Sequence, residues 1–219
     1  MNITNRLLEL DPTLELHDEG EWSKTVSEYS AFNDAGVECE VGEFLYSLVR
    51  ILKPAHVLET GTHWGIGASY MGMACKDNAK GQVDTIEFLR EIYERADARF
   101  KKLELSPAFV NNLFMDARAF DPGDKKYGLI LLDTEPQTRF GELVKFFDNL
   151  EDGGFVFIHD LHRHMQQVEN AEHGFAWPFG PIPEIIIETV NANNLRPFHF
   201  GNPRGLTGFY KPHPGDYKW

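Results

Sequence analysis

The sequence predicts an α/β protein built on a doubly wound, mostly parallel sheet, and three observations carry that prediction. Short apolar runs suited to buried parallel strands recur at His56–Glu59, Val83–Phe88, Ala108–Met115, Gly128–Leu132 and Phe155–Ile158. Helical patterns fall between them at Gly67–Cys75, Arg90–Leu105 and Arg139–Leu150, and again at Glu184–Asn194, where Pro183 stands near the first turn. Strand and helix in alternation imply βαβ units, with helices on both faces of a parallel sheet. The tail breaks this rhythm: Arg196–Phe200 and Leu206–Lys211 flank Gly201-Asn202-Pro203-Arg204-Gly205, which reads as two strands and a turn. That C-terminal antiparallel hairpin brings the expected sheet to seven strands. Ahead of the first strand, Asn5–Leu52 reads as helical, with Val41–Ile51 its clearest amphipathic piece, and is expected to form an N-terminal helical cap.

A chain of 219 residues is most economically one domain, here 1–219, with the cap over 1–52 and the core over 53–219. The formal charge of −13 opposes nucleic acid or an anionic membrane surface as a partner, since both would be repelled. MNITNRLLELDPTLELHDE has no basic n-region followed by an apolar h-region, and no apolar run approaches the roughly 20 residues of a membrane span. Cys39 and Cys75 fit neither a disulfide framework nor a CxxC site. These features lead us to expect a cytoplasmic chain.

Chemistry concentrates in VLETGTHWGIGAS, Val57 to Ser69. An apolar strand stops at Glu59, and Gly61, Gly65 and Gly67 follow before the helical pattern begins. Glycines let backbone approach a ligand, and amides at a helix start bind anions. The dinucleotide fingerprint GxGxxG and the GK[ST] ending of a P-loop are both absent. Glu59 offers an acceptor for an ammonium group. Val83-Asp84-Thr85-Ile86-Glu87 ends the next strand with an acid able to accept from both hydroxyls of a ribose.

Glu59-Thr60-Gly61 resembles the first cofactor motif of class I S-adenosylmethionine (SAM)-dependent methyltransferases, especially the catechol and caffeoyl-CoA O-methyltransferase group. Phe114-Met115-Asp116-Ala117 resembles the group's GDA-type element beside the adenine. YGLILLD (Tyr127–Asp133) resembles its YDLIFID strand, LEDGGFVFIHD (Leu150–Asp160) its LxxGGxxxxD strand, and GLTGFYK its closing strand. The resemblance runs in order from about Val37 to Lys211 and implies a Rossmann-like fold. It implies SAM as cofactor, held by Glu59, Gly61, Thr62, Gly67, Glu87, Asp116, Ala117 and Asp133. It also implies methyl transfer to an oxygen of a small-molecule acceptor, and a homodimer as in related enzymes.

In the resembled group, acids at the positions of Asp133 and Asp160 hold magnesium or another divalent metal, which lowers the pKa of the attacking hydroxyl. The group's third ligand is Asn or Asp directly after the second acid, where this chain has Leu161. His159 and His162 flank that position, and imidazole suits Zn, Fe or Mn better than Mg. The group's Lys base, three positions after the first acid, is replaced by Pro136. Within HDLHRH, His162 is the expected base, since imidazole titrates near neutral pH and His162 follows Asp160 by two residues. Asp133 shares that catalytic role, and Glu135 is a further ligand or substrate contact. Phe175, Trp177 and Phe179 lie in the long connection after Asp160 and would either wall an acceptor pocket or fill a gap over the sheet. Two other readings stay open: a metal-independent methyltransferase acting on nitrogen or another acceptor, and a SAM-binding protein without turnover.

Overall fold

The structure, a computed structural model, describes residues 2–18, 29–32, 36–160, 188, 190–192, 195–200 and 204–215. Among the described residues, seven strands make one sheet and two more form a small separate ladder. The chain divides into two compact units, Met1–Phe120 and Asp121–Trp219.

In the first unit, α1 (Ile3–Leu10) is capped by the Asn2 side chain, which accepts from the Asn5 amide at 2.9 Å. Pro12 follows the helix and cannot continue it. The expectation of helix over Asn5–Leu52 holds for α1 and for α2 (Cys39–Leu52), but between them β1 (Leu16–Asp18) and β2 (Ser30–Phe32) pair antiparallel. Ala31 and Phe32 of β2 are both buried, so this short strand is covered on both faces, and its extended form reflects tertiary packing rather than local periodicity. Next come β3 (His56–Thr60), α3 (Ile66–Asn78), β4 (Gln82–Glu87), α4 (Arg90–Lys102) and β5 (Val110–Phe114). The strands β3, β4 and β5 pair parallel, with Glu59 opposite Thr85 and Glu87 opposite Phe114.

The second unit holds β6 (Tyr127–Leu132), α5 (Pro136–Phe146), β7 (Leu150–His159), β8 (Arg196–Phe200) and β9 (Leu206–Tyr210). All six residues of β6 are buried, as a parallel strand covered on both faces requires. The strand pairs parallel with β7, so the strands ending in Asp133 and Asp160 are neighbours, as expected from the sequence. β7 then pairs antiparallel with β9, and β9 with β8. The full order is β5-β4-β3-β6-β7-β9-β8, a mostly parallel seven-stranded sheet with the hairpin at one edge. Of the expected helix Glu184–Asn194, the described residues 188 and 190–192 are helical. No helix among the described residues is long and apolar enough to cross a membrane.

Candidate functional site

Ligands of parallel α/β sheets bind beyond the carboxyl ends of the strands. In the first unit that edge carries most of the residues expected to hold the cofactor. After β3 the chain turns sharply through Gly61 (φ 83°), His63 (φ 46°) and Gly65 (φ 79°) before α3 starts. The Gly61 and Thr62 amides donate to the Ile86 carbonyl, both at 3.1 Å, and Gly65 donates to Thr62 at 2.8 Å. Gly65 has a second reason to be glycine, since a Cβ there would stand 2.7 Å from Cζ of Phe100. Gly67 lies buried in the first turn of α3.

Two acids brace this turn. Glu59 is buried and accepts from the Thr85 hydroxyl at 2.5 Å. Because that proton is committed, the Thr62 hydroxyl, 2.6 Å away, is the donor to Thr85. A chain of two hydroxyls thus ends on the Glu59 carboxylate, a short charge-assisted arrangement. Glu87 accepts three amides: His63 at 3.0 Å on one oxygen, and Phe88 at 3.0 Å and Leu89 at 2.9 Å on the other. It therefore ties the glycine turn to the start of α4. A carboxylate has about four acceptor positions, so these three amides leave Glu87 about one more.

Asp116 and Ala117 follow β5, and the Met115 amide donates to the Glu87 carbonyl at 3.0 Å. Ala117 is buried, whereas Asp116 accepts from the Arg118 amide at 2.8 Å and from its guanidinium at 2.6 Å. Asp116 thus has the turn-forming role that short Asp motifs commonly take. The expected set Glu59, Gly61, Thr62, Gly67, Glu87, Asp116 and Ala117 lies at or after the carboxyl ends of three adjacent strands, Glu59 and Glu87 within β3 and β4.

In the second unit, Asp133, His159 and Asp160 each offer a ligand atom, and these atoms lie within 4.8 Å of one another. His159 is fully buried, with Nδ1 3.3 Å from both Asp133 oxygens. Asp160 adopts a left-handed backbone (φ 63°), a conformation that Asp tolerates better than most residues. Two arginines that the motifs did not single out complete the group. Arg139 of α5 sets one terminal nitrogen 3.2 Å from Asp133 and 3.2 Å from Asp160. Its Nε donates to the Thr134 carbonyl at 2.6 Å, and its other terminal nitrogen donates to the His159 carbonyl. Arg204 grips Asp160 with Nε at 2.5 Å and a terminal nitrogen at 2.9 Å. Burial alone would raise the Asp160 carboxyl, but His159, Arg204 and Arg139 outweigh it and hold the group well below the usual carboxylate range.

The expected divalent metal does not fit this donor set. Mg²⁺ or Ca²⁺ takes oxygen ligands at roughly 2.0–2.6 Å. An ion at that distance from both acids would contend with the Arg139 nitrogen already set between them. Glu135 is exposed at the start of α5, and Pro136 is the first residue of that helix. The proposed base His162 and the aromatics Phe175, Trp177 and Phe179 lie outside the described residues.

No protein-family model and no curated protein matches the chain. Solved structures do match its fold. The O-methyltransferase TomG from Streptomyces achromogenes, determined with SAM, is 16% identical over 82% of this chain and 83% of its own, with a TM-score of 0.64. The SAH-bound Podospora anserina methyltransferase PaMTH1 is 14% identical over 96% of both chains, at 0.65. An O-methyltransferase from Bacillus cereus in complex with SAH is 15% identical over 82% and 84%, at 0.60. With the strand order and edge hairpin described above, these likenesses give the chain the Rossmann-like fold of class I SAM-dependent methyltransferases.

Proposed function

We propose that the chain, acting as one catalytic domain, transfers the methyl group of SAM to an oxygen of a small-molecule acceptor. One observation carries this reading: the Gly61–Gly65 turn is held between a buried Glu59 and a Glu87 that accepts amides from both the turn and α4. That is a preformed cradle for a ligand with an ammonium group at one end and a ribose further along, which describes SAM. The preference for oxygen is supported by the names of similar structures, an O-methyltransferase with SAM and another with SAH.

In the reaction, an acceptor oxygen attacks the methyl carbon as the carbon–sulfur bond breaks, leaving S-adenosylhomocysteine, and the hydroxyl proton passes to a base. His162 remains the proposed acceptor of that proton, because imidazole exchanges protons near neutral pH. No step is routed through a metal. The test is calorimetric titration of the full chain with S-adenosylhomocysteine, where saturable one-to-one binding is expected. Absence of any binding heat across temperatures overturns the reading.

A further inference from the structure

We infer that the guanidinium of Arg139 occupies the structural place of a divalent cation between Asp133 and Asp160, so that this acid pair functions without metal. A metal at the ends of two parallel strands would do two things: neutralise two facing carboxylates and fasten the strand ends together. Arg139 does both. One terminal nitrogen lies 3.2 Å from each carboxylate. Nε holds the carbonyl of Thr134, just past the end of β6, and the remaining terminal nitrogen holds the carbonyl of His159, the last residue of β7. Three hydrogen bonds and an ion pair to Asp133 thus come from a planar group that carries five N–H donors and keeps its charge at any physiological pH. The side chain is 5% exposed, so the arrangement is internal to the fold rather than a surface pairing.

The charge balance points the same way. Asp133 and Asp160 contribute two negative charges, and Arg139 and Arg204 two positive ones, all within salt-bridge distance. A dication added to that balanced group would sit among like charges, at separations where low effective dielectric makes repulsion strong. The position after Asp160 is Leu161, whose side chain has no ligand atom.

The inference concerns the acid pair alone and stands whether or not SAM binds, so its test uses metal without cofactor. Mn²⁺ is titrated into the full chain and bound ion is counted by electron paramagnetic resonance, with thermal melts run in parallel. Wild type is expected to bind no Mn²⁺ up to millimolar concentration and to keep its melting temperature when Mn²⁺ is added. Arg139→Met removes the resident charge and leaves His159 with two carboxylates. It is expected to gain Mn²⁺ affinity by at least about a hundredfold, and added ion should raise its depressed melting temperature. A merely structural arginine would lower stability without creating a metal signal. Should Arg139→Met fail to fold, Arg139→Gln, which keeps an amide donor near the Thr134 carbonyl, is read by the same criterion. Micromolar Mn²⁺ binding by wild type that disappears in Asp133→Asn overturns the inference. So does a folded Arg139 variant with no gain in affinity.

Discussion

Arg204 and Asp160 form a two-pronged ion pair, 2.5 and 2.9 Å, across 44 positions of sequence. The pair exists because β9 lies antiparallel to β7, with Leu206 opposite His159, which brings the turn before β9 alongside the end of β7. Asp160→Asn tests its weight cleanly, since Asn has the same size and also tolerates the left-handed backbone found there. Two arginines would then lack their shared anion, and a loss of about 3 kcal/mol is expected in urea unfolding. Pairing this change with Arg204→Leu should cost less than the sum of the two single changes. Simple additivity would mean that the contact contributes nothing of its own.

Glu87→Ala should weaken S-adenosylhomocysteine binding by roughly tenfold or more, since a hydrogen bond to a charged group contributes about 1.5–3 kcal/mol. The same change releases the His63, Phe88 and Leu89 amides, so the melting temperature should also fall. Glu87→Gln keeps one acceptor oxygen and should fall between the two. Unchanged affinity in Glu87→Ala would remove the ribose assignment and leave only the bracing role.

Gly65→Ala joins two penalties at one position. The backbone is left-handed (φ 79°), and the new methyl would sit 2.7 Å from the buried ring of Phe100. Backbone strain of about 1–2 kcal/mol and crowding of about 1–3 kcal/mol together give an expected loss of roughly 2–5 kcal/mol. Chemical denaturation measures it; a loss under about 1 kcal/mol would mean that the turn and Phe100 relax readily.

Asp11 supplies a pH dependence. It is buried, with Arg99 Nε at 2.9 Å and Lys102 Nζ at 2.6 Å. Burial alone would raise its carboxyl, but Lys102, Thr13 and Arg99 together hold it well below the ordinary range. A carboxyl depressed in the folded state contributes its full stability above the unfolded value of about 3.9 and loses it as pH falls toward the folded value. Stability should therefore decline below about pH 4–5, and Asp11→Asn should flatten that decline while lowering stability at pH 7. Parallel acid profiles for wild type and variant would show Asp11 to be a minor contributor.

Much of the architecture was legible because strand and helix are written in local periodicity. Fully apolar YGLILL became β6, and strand-end acids at Glu59, Glu87, Asp133 and Asp160 lie where apolar runs stop. The ladder Leu16–Asp18 with Ser30–Phe32 was not legible, since three-residue strands of mixed polarity have no period to detect and form through tertiary burial. Arg139 and Arg204 escaped notice for another reason. An arginine on a helix or in a turn is ordinarily solvated. Only the packing of α5 and the pairing of β7 with β9 reveal that these two face the acids. Thr85 was hidden similarly: nothing local marks a strand threonine as the link between Thr62 and Glu59.

The position of Arg204 has a consequence for the order in which the chain is made. Asp160 is synthesised 44 positions before its partner, and β9, which delivers Arg204 to it, is made later still. During synthesis the growing chain therefore carries an acid that only His159 and Arg139 balance until Arg204 leaves the ribosome. Domains emerge from the ribosome N-terminal end first, and incomplete ones are prone to misassembly. A ribosome stalled just short of residue 204 would hold a chain with every described strand but β9 made and the charge on Asp160 still short of its second arginine.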